Sequence, residues 1–281
     1  MDRRHGLHAL RRSLAQQLSL TLVDVACRLP HAIPGRPLTV MGLSFPSPLG
    51  IAAGFDRNGR LARRVAALGF GFNEIGSLTA DGLAQLEPMS RGEARLGINL
   101  TLDAGSSVAE SCALLRNAWP QADYLVLNLI GPASAPLLSN AVRLRNLLTA
   151  LREEHQQLNL EGKRQVPLVA KLRCLPKQVP FLLASMLLDL KFDGLLAAHD
   201  PGPPATRERY RAWQDPQQQA LACEQIEGLR RFCGQGMALI SVGGIQTASH
   251  LQARMDAGAE LVQVHTALLH QGPWLARHLL R

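Results

Sequence analysis

The sequence has few of the features that mark secreted, membrane-spanning or metal-binding proteins. Its five cysteines are odd in number, lie far apart and form no Cys-x-x-Cys pair, so neither a disulfide framework nor a zinc site is predicted. It has no run of about 18 uncharged apolar residues and no signal-peptide pattern, so no transmembrane helix is predicted. These absences predict a cytoplasmic protein with reduced thiols.

Lysine and aromatic residues are also scarce. Only four of the 30 basic residues are lysine and aromatic residues make up 4% of the chain, while 22 acidic residues leave a formal net charge of +8. A basic balance is compatible with nucleic acid, anionic lipid or a phosphorylated cofactor. Nucleic-acid binding has only this charge in its favour, because aromatic residues do not alternate with the arginines. We therefore expect a small-molecule substrate and no nucleic acid partner; the oligomeric state stays open.

The first 30 residues combine an apolar stripe with arginines. Apolar side chains recur every three or four residues at Leu7, Leu10, Leu14, Leu18, Leu22 and Val25, beside Arg3, Arg4, Arg11 and Arg12. This spacing predicts an amphipathic helix with a cationic face, typical of a helix at a membrane surface. The alternative is a helix that caps the core of its own domain.

Eight short apolar runs bounded by turn residues predict buried parallel strands. They are PLGIAAG (48–54), FGFNEIGS (70–77), ARLGINL (94–100), ADYLVLNL (122–129), PLVAKL (167–172), FDGLLAA (192–198), MALISVGG (237–244) and ELVQVHT (260–266). Segments of helical period lie between them, at 58–68, 107–119, 141–155, 179–190, 220–232 and 247–257. This alternation predicts a (β/α)8 TIM barrel over residues 41–281, preceded by an N-terminal helical extension over residues 1–40. The Pro-, Arg- and Gln-rich stretch 200–219 is predicted to be a long loop after the sixth strand.

Lys171 is the most informative single residue. In a barrel the site lies at the carboxyl ends of the strands, and Lys171 stands inside the apolar fifth strand. A buried ammonium needs an anionic or electron-rich partner, unless the side chain reaches water. Asn99 and Asn128, in two adjacent strands, are expected to converge on Lys171 around a planar polar ligand.

Two glycines after the seventh strand predict an anion site. Gly243 and Gly244 allow main-chain N–H groups to approach an anion closely, and Thr266 and Gly272 follow the eighth strand, where barrels often bind phosphate. A tight turn would explain the glycines alone. His199 and His265 lack metal-ligand spacing and are expected to line the site, so no metal is predicted.

Collinear motifs between Met41 and Gly272 resemble the dihydroorotate dehydrogenase family, and most closely its membrane-associated, quinone-using class. They include MGLSFPSPLGIAAGFDRNG (41–59), LGFGFNEIGSLT (68–79), DYLVLNLIGP (123–132), VPLVAKL (166–172), SVGGI (241–245) and GAELVQVHTALLHQGP (258–273). The resemblance implies an FMN-binding barrel. It places cofactor contacts at Ala53, Gly54, Ser77, Asn99, Asn128, Lys171, Gly243, Gly244 and Thr266. It also implies that the N-terminal helix delivers quinone and docks on the inner face of a membrane.

The departures from the family lie at the substrate end. The family's catalytic serine, in a loop of the type SSPN after the fourth strand, corresponds to Gly131, and the substrate-binding asparagine of that loop corresponds to Ala133. Ser134 is a displaced substitute for the base. By position Arg57, Asn128 and His199 would contact substrate, where Arg57 replaces a lysine and His199 an asparagine. The family's asparagine-rich substrate loop is replaced by ADGLAQLEPMSRGEAR (80–95), and its glycine-containing flavin loop by the Gln-rich run around Asp215.

These observations predict an FMN-dependent oxidoreductase resembling dihydroorotate dehydrogenase, an enzyme of pyrimidine biosynthesis. Loss of the general base alone would lower the rate by about 10²–10⁴-fold. The protein would then turn over dihydroorotate weakly or act on another small acid. The alternative is a non-catalytic flavin-binding or partner-binding paralogue.

Overall fold

A long helix and a short hairpin precede the barrel. The computed structural model describes residues 3–29, 36–86, 89–202 and 208–281, with side chains from residue 14 onward. Helix α1 spans Arg3–Ala26, and strands β1 (Leu38–Val40) and β2 (Leu43–Phe45) pair antiparallel. The sequence predicted the helix but not the hairpin. The domain boundary expected at residue 41 falls within the turn of this hairpin.

The next eight strands close into a parallel barrel, which confirms the predicted fold. They are β3 (Leu49–Ile51), β4 (Phe72–Leu78), β5 (Arg95–Thr101), β6 (Tyr124–Asn128), β7 (Leu168–Cys174), β8 (Gly194–His199), β9 (Ala238–Val242) and β10 (Leu261–Val264). The strands pair in chain order, and β10 pairs with β3 to complete the ring. Each strand lies on one of the eight predicted runs.

Helices alternate with these strands on the outside of the barrel. They are α2 (Ala80–Ala84), α3 (Val108–Ala118), α4 (Ala135–Leu138), α5 (Ala141–Glu161), α6 (Phe181–Asp189), α7 (Arg209–Ala212), α8 (Pro216–Cys233), α9 (Ala248–Asp256), α10 (Thr266–Gln271) and α11 (Leu275–Leu279). A 3₁₀ helix at Ala62–Leu68 follows β3. The loop predicted over 200–219 was too long, because α8 begins at Pro216. Proline suits the first helical turn, and the side chain of Asp215 caps the helix by accepting the N–H of Gln217 at 2.9 Å.

The amino-terminal end of the barrel is closed by aromatic side chains. Phe45 of the hairpin meets Phe72 edge to face at 5.6 Å between ring centroids, and Tyr124 lies 6.3 Å from both rings. These rings need space at the neighbouring strands, and glycine provides it. A Cβ on Gly50 would lie 2.3 Å from Phe72, and one on Gly97 would lie 2.3 Å from Tyr124. With this end filled by aromatic rings, the described barrel opens at the carboxyl ends of its strands.

Helix α1 packs one face on the barrel and leaves another exposed. Val23, Ala26 and Cys27 are buried, and the carboxylate of Asp24 binds Arg28, Arg60 and Arg64 at 2.7–3.1 Å. Burial alone would raise the pKa of Asp24, but the three arginines outweigh it and hold that pKa below its ordinary value. This ion-pair cluster ties α1 to the 3₁₀ helix after β3.

The opposite face of α1 carries part of the predicted apolar stripe. The stripe side chains Leu14, Leu18, Leu22 and Val25 are 54–66% exposed, and Leu29, beyond the end of α1, is 47% exposed as well. The other stripe and arginine positions, from Arg3 to Arg12, lie outside the described side chains. The described part of the stripe therefore faces outward rather than onto the barrel core. Among the described helices, none is both long and apolar enough to cross a bilayer.

Candidate functional site

A cavity of about 360 Å³ opens at the carboxyl ends of the barrel strands. Nine of the residues predicted for the site line it: Ala53, Gly54, Arg57, Lys171, His199, Gly243, Gly244, His265 and Thr266. Its volume falls within the range of small-molecule pockets. Helix α1 also reaches it, because Gln16 lines the cavity and donates a hydrogen bond to the carbonyl of Gly54.

Lys171 lies in the barrel interior beside a buried carboxylate. Its Nζ is 3.9 Å from Oε1 of Glu74, and the ammonium makes no hydrogen bond to any described residue. Glu74 is fully buried and accepts hydrogen bonds from Asn99 Nδ2 at 2.8 Å and from Gln263 Nε2 at 2.5 Å. The expected anionic partner of Lys171 is therefore a side chain of the barrel itself, and the ammonium still has donors to offer a ligand.

The two predicted asparagines belong to one hydrogen-bonded chain beside the cavity. Ser77 Oγ donates to Asn99 Oδ1 and accepts from Asn128 Nδ2 at 2.7 Å, while Asn128 Oδ1 accepts the N–H of Ile130 at 3.0 Å. Through the carboxylate of Glu74, these hydrogen bonds connect the two asparagines to Lys171. None of the three side chains of Ser77, Asn99 and Asn128 is part of the cavity lining.

Two histidines that line the cavity are held neutral. Burial, reinforced by Lys171, lowers the pKa of His265 to about 4. Burial, with Arg254 nearby, lowers the pKa of His199 to about 3, and the His199 ring contacts Gln225 Oε1 at 2.6 Å and Ser241 Oγ at 3.1 Å. Both imidazoles are therefore hydrogen-bonding groups at neutral pH rather than cations. Within the described ranges, no three His, Cys, Asp or Glu side chains cluster as metal ligands would.

The glycine loop after β9 presents main-chain donors. Gly243 and Gly244 have φ angles of 117° and 84°, a region that favours glycine. The N–H groups of Gly243, Gly244 and Ile245 donate to no acceptor among the described residues, and all three residues line the cavity. Successive free N–H groups form a typical anion-binding nest. The indole of Trp213 packs against this loop, since a Cβ on Gly244 would lie 2.5 Å from it.

The loop after β6 carries no side chain that could act as a base. Gly131 has ordinary extended geometry, and a Cβ added to it would meet nothing within 4 Å. Ser134 is fully buried, and its Oγ contacts the carbonyl oxygens of Leu102 at 2.6 Å and Asn128 at 2.8 Å. The hydroxyl of Ser134 therefore stabilises the loop and does not line the cavity.

Sequence reasoning missed several residues at or near this cavity. Gln16, Glu74, Trp213 and Gln263 were not proposed, although Glu74 interrupts an apolar strand run just as Lys171 does. Its charge in FGFNEIGS was a usable signal. Trp213 falls within the stretch predicted as loop, and no local pattern indicates that it would reach the glycine loop.

Comparison with known proteins points to one family. The family model described as dihydroorotate dehydrogenase matches residues 215–281. A dihydroorotate dehydrogenase (quinone) from Pseudarthrobacter chlorophenolicus is 31% identical over 89% of this chain and 85% of its own length. A second dihydroorotate dehydrogenase (quinone), from Paraburkholderia phymatum, is 31% identical over 93% of this chain and 90% of its own length. A DHODH from Eimeria tenella, solved in complex with ferulenol, superposes with a TM-score of 0.77 at 22% identity, covering 95% of this chain and 89% of that one.

Proposed function

The chain belongs to the dihydroorotate dehydrogenase family, and from that premise we propose that it is an FMN-dependent oxidoreductase with an altered substrate end. The observation that carries the proposal is the buried ammonium of Lys171. It lines the cavity, pairs with no described residue other than Glu74, at 3.9 Å, and keeps its N–H donors for a ligand. A buried cation with unused donors favours an electron-rich or anionic ligand.

The hydrogen-bond donors and small residues that line the described cavity suit the groups of FMN. Ala52, Ala53 and Gly54 form a wall without bulky side chains, against which a flat ring system can pack. Lys171 stands beside that wall, while the free N–H groups of Gly243, Gly244 and Ile245 would take a phosphate. Gln263 Oε1 is buried, has no hydrogen-bond partner among the described residues, and could accept an N–H from a ligand.

Bound FMN would supply a hydride acceptor for substrate oxidation and a route for the two electrons to a second substrate. Lys171 would stabilise negative charge in the ring system beside it, and Glu74 would keep the ammonium in position. His265, neutral and next to Lys171, would contribute a hydrogen-bonding nitrogen without adding charge. The small wall residues and the buried histidines would keep water away from the reacting face.

The substrate end is where this chain differs from the family. Oxidation of dihydroorotate to orotate removes a hydride and a proton, and Gly131 has no side chain to take the proton. Arg57 is exposed, lines the cavity and has no described ion-pair partner, so it is available to a substrate carboxylate. We propose weak turnover of dihydroorotate, within pyrimidine biosynthesis, or turnover of another small acid that binds through Arg57 and His199.

The electron acceptor we propose is a quinone. The exposed apolar face of α1 includes Leu14, two residues before Gln16, whose side chain lines the cavity. An apolar acceptor dissolved in a bilayer would therefore reach the cavity beside this helix. Residues 1–30 would hold the protein peripherally on the inner face of the membrane, as an extension preceding the barrel of residues 41–281.

A second candidate is a flavin-binding or partner-binding paralogue without catalysis. Two observations favour it: Gly131 offers no base, and both ring nitrogens of His199 are already engaged by Gln225 and Ser241. A histidine held in this way would have to break a bond to contact substrate.

An absorbance spectrum of the purified protein from about 300 to 550 nm separates these candidates. We expect flavin bands, and slow bleaching of those bands when dihydroorotate is added without oxygen. Bands that no tested donor bleaches would favour the non-catalytic paralogue. A protein that carries no flavin after expression with added FMN would contradict the FMN-dependent oxidoreductase and the flavin-binding paralogue, and would leave a partner-binding paralogue.

A further inference from the structure

Arg254 is a buried cation without a carboxylate partner. It lies on α9 and is 0% exposed. Its guanidinium donates to Gln219 Oε1 at 3.0 Å and contacts Cys223 Sγ at 3.9 Å, while Nε has no hydrogen-bond partner in the described part of the chain. No ion pair joins it to any described Asp or Glu. A buried charge of this kind is costly unless an anion or oriented dipoles compensate it.

Gln219 connects this cation to the glycine loop that lines the cavity. Its Oε1 accepts from Arg254, and its Nε2 donates to the carbonyl of Gly244 at 2.7 Å and to the carbonyl of Trp213 at 2.8 Å. The ring of Trp213 lies 5.7 Å from the guanidinium carbon of Arg254 and packs on Gly244. One glutamine therefore fixes both the loop and the indole that covers it.

The direction of the Gly244 carbonyl determines which main-chain N–H groups of the glycine loop face the cavity. In a trans peptide the carbonyl and the following N–H point in opposite directions. Because Gln219 holds the Gly244 carbonyl from outside the cavity lining, the N–H of Ile245 is directed to the other side, where the cavity lies. This N–H and those of Gly243 and Gly244 donate to no acceptor among the described residues.

Resting on the proposed function, we propose that Arg254 and Gln219 are positioning residues for the phosphate group of FMN. Gln219 orients the glycine loop so that its N–H groups converge on the phosphate. Arg254 orients Gln219 and supplies a positive charge to this end of the cavity through the amide dipoles. Neither side chain lines the cavity, so both act through the loop rather than by touching the phosphate.

The test compares FMN with riboflavin, which has the same ring and ribityl chain but no phosphate. The full chain, stripped of bound flavin, is titrated with each flavin while flavin fluorescence is followed. We expect the wild-type chain to bind FMN more tightly than riboflavin. Gln219→Leu and Arg254→Met should each weaken FMN binding at least tenfold and change riboflavin binding by less than about twofold. Arg254→Lys, which keeps the charge, should recover part of the loss.

The matched control is Gln217→Leu, an exposed glutamine in the first turn of the same helix, which should change neither affinity. Equal losses of FMN and riboflavin binding would assign Gln219 and Arg254 a merely structural role and overturn the inference. Unchanged FMN binding in both variants would overturn it as well. A wild-type chain that binds both flavins equally would overturn the inference alone, whereas one that binds neither would also overturn the proposed function.

Discussion

The ammonium of Lys171 lies 3.9 Å from Oε1 of Glu74, and the two side chains come from strands β7 and β4, which lie three positions apart in the ring. Asn99 and Gln263 complete the contacts of the carboxylate from two further strands. Four strands thus contribute to one buried polar layer. The layer separates the aromatic floor around Phe45 from the cavity above it.

Breaking this ion pair from either side should destabilise the barrel. Lys171→Met leaves a buried carboxylate and Glu74→Gln leaves a buried ammonium, and each should lower the free energy of unfolding by up to about 3–5 kcal/mol. The double variant should lose less free energy of unfolding than the two single variants lose together, because it leaves no unpaired charge. Urea unfolding of all four proteins measures this coupling.

The control for this cycle is Glu153→Gln, an exposed position on α5 with no described ion pair. We expect Glu153→Gln to alter the free energy of unfolding by no more than about 0.5 kcal/mol. Strictly additive losses in the cycle would mean that Lys171 and Glu74 do not depend on each other.

A serine introduced at Gly131 should raise the rate of flavin reduction by dihydroorotate. The φ and ψ angles of Gly131 are −72° and 157°, which any residue adopts, and a Cβ there would meet nothing within 4 Å. A positioned general base contributes about 10²–10⁴-fold, so a partly aligned hydroxyl should give at least a tenfold gain. Anaerobic stopped-flow bleaching measures the rate. Gly131→Ala is the matched control and should give no gain; equal rates in both variants would place the missing function elsewhere.

Acid should destabilise the protein in the range where its buried histidines take up protons. Burial lowers the pKa of His265 to about 4 and that of His199 to about 3, against about 6.5 in the unfolded chain. Since the unfolded chain binds protons first, the stability from each neutral histidine is fully present above pH 6.5. It is lost as the pH falls toward the folded pKa, by at most about 1.4 kcal/mol per pH unit for each.

Urea midpoints at pH 7, 6 and 5 measure this slope. His265→Gln should make it shallower, because the amide keeps a hydrogen-bonding group that does not titrate in this range. A variant with the same slope as the wild-type chain would mean that folding does not lower the pKa of His265.

The barrel could be predicted because its strands are buried on both faces. Each one appears in the sequence as a short apolar run bounded by Gly, Pro or Asn, and all eight runs became strands. The hairpin at Leu38–Phe45 was missed because its strands are three residues long, too short for any period to be visible. The start of α8 was missed because the Gln-rich run has no apolar stripe.

The site could be predicted only where one residue contrasts with its neighbours. Lys171 stands out in PLVAKL, and the glycine pair stands out after β9. The relation between Arg254 and Gln219 could not be seen in the same way, because the two residues are 35 positions apart and meet only when α8 packs against α9. Neither residue contrasts with its neighbours in the helical segment that contains it, and only the fold reveals that Arg254 is buried.

The exposed apolar face of α1 should bind the protein to lipid. Leu18 and Leu22 are 66% and 61% exposed and lie one turn apart, in a stripe that continues to Leu29. Each leucine side chain transferred into the bilayer contributes about 1.5–3 kcal/mol, so Leu18→Gln with Leu22→Gln should weaken binding to anionic phospholipid vesicles at least a hundredfold. Cosedimentation with vesicles measures the binding, and the flavin spectrum should not change because both side chains point away from the cavity. Val142→Gln, at a 72% exposed position on α5, is the control and should bind as the wild-type chain does. If the double variant sedimented as fully as the wild-type chain, the stripe would have no part in membrane contact, and access of a quinone past α1 would lose its support.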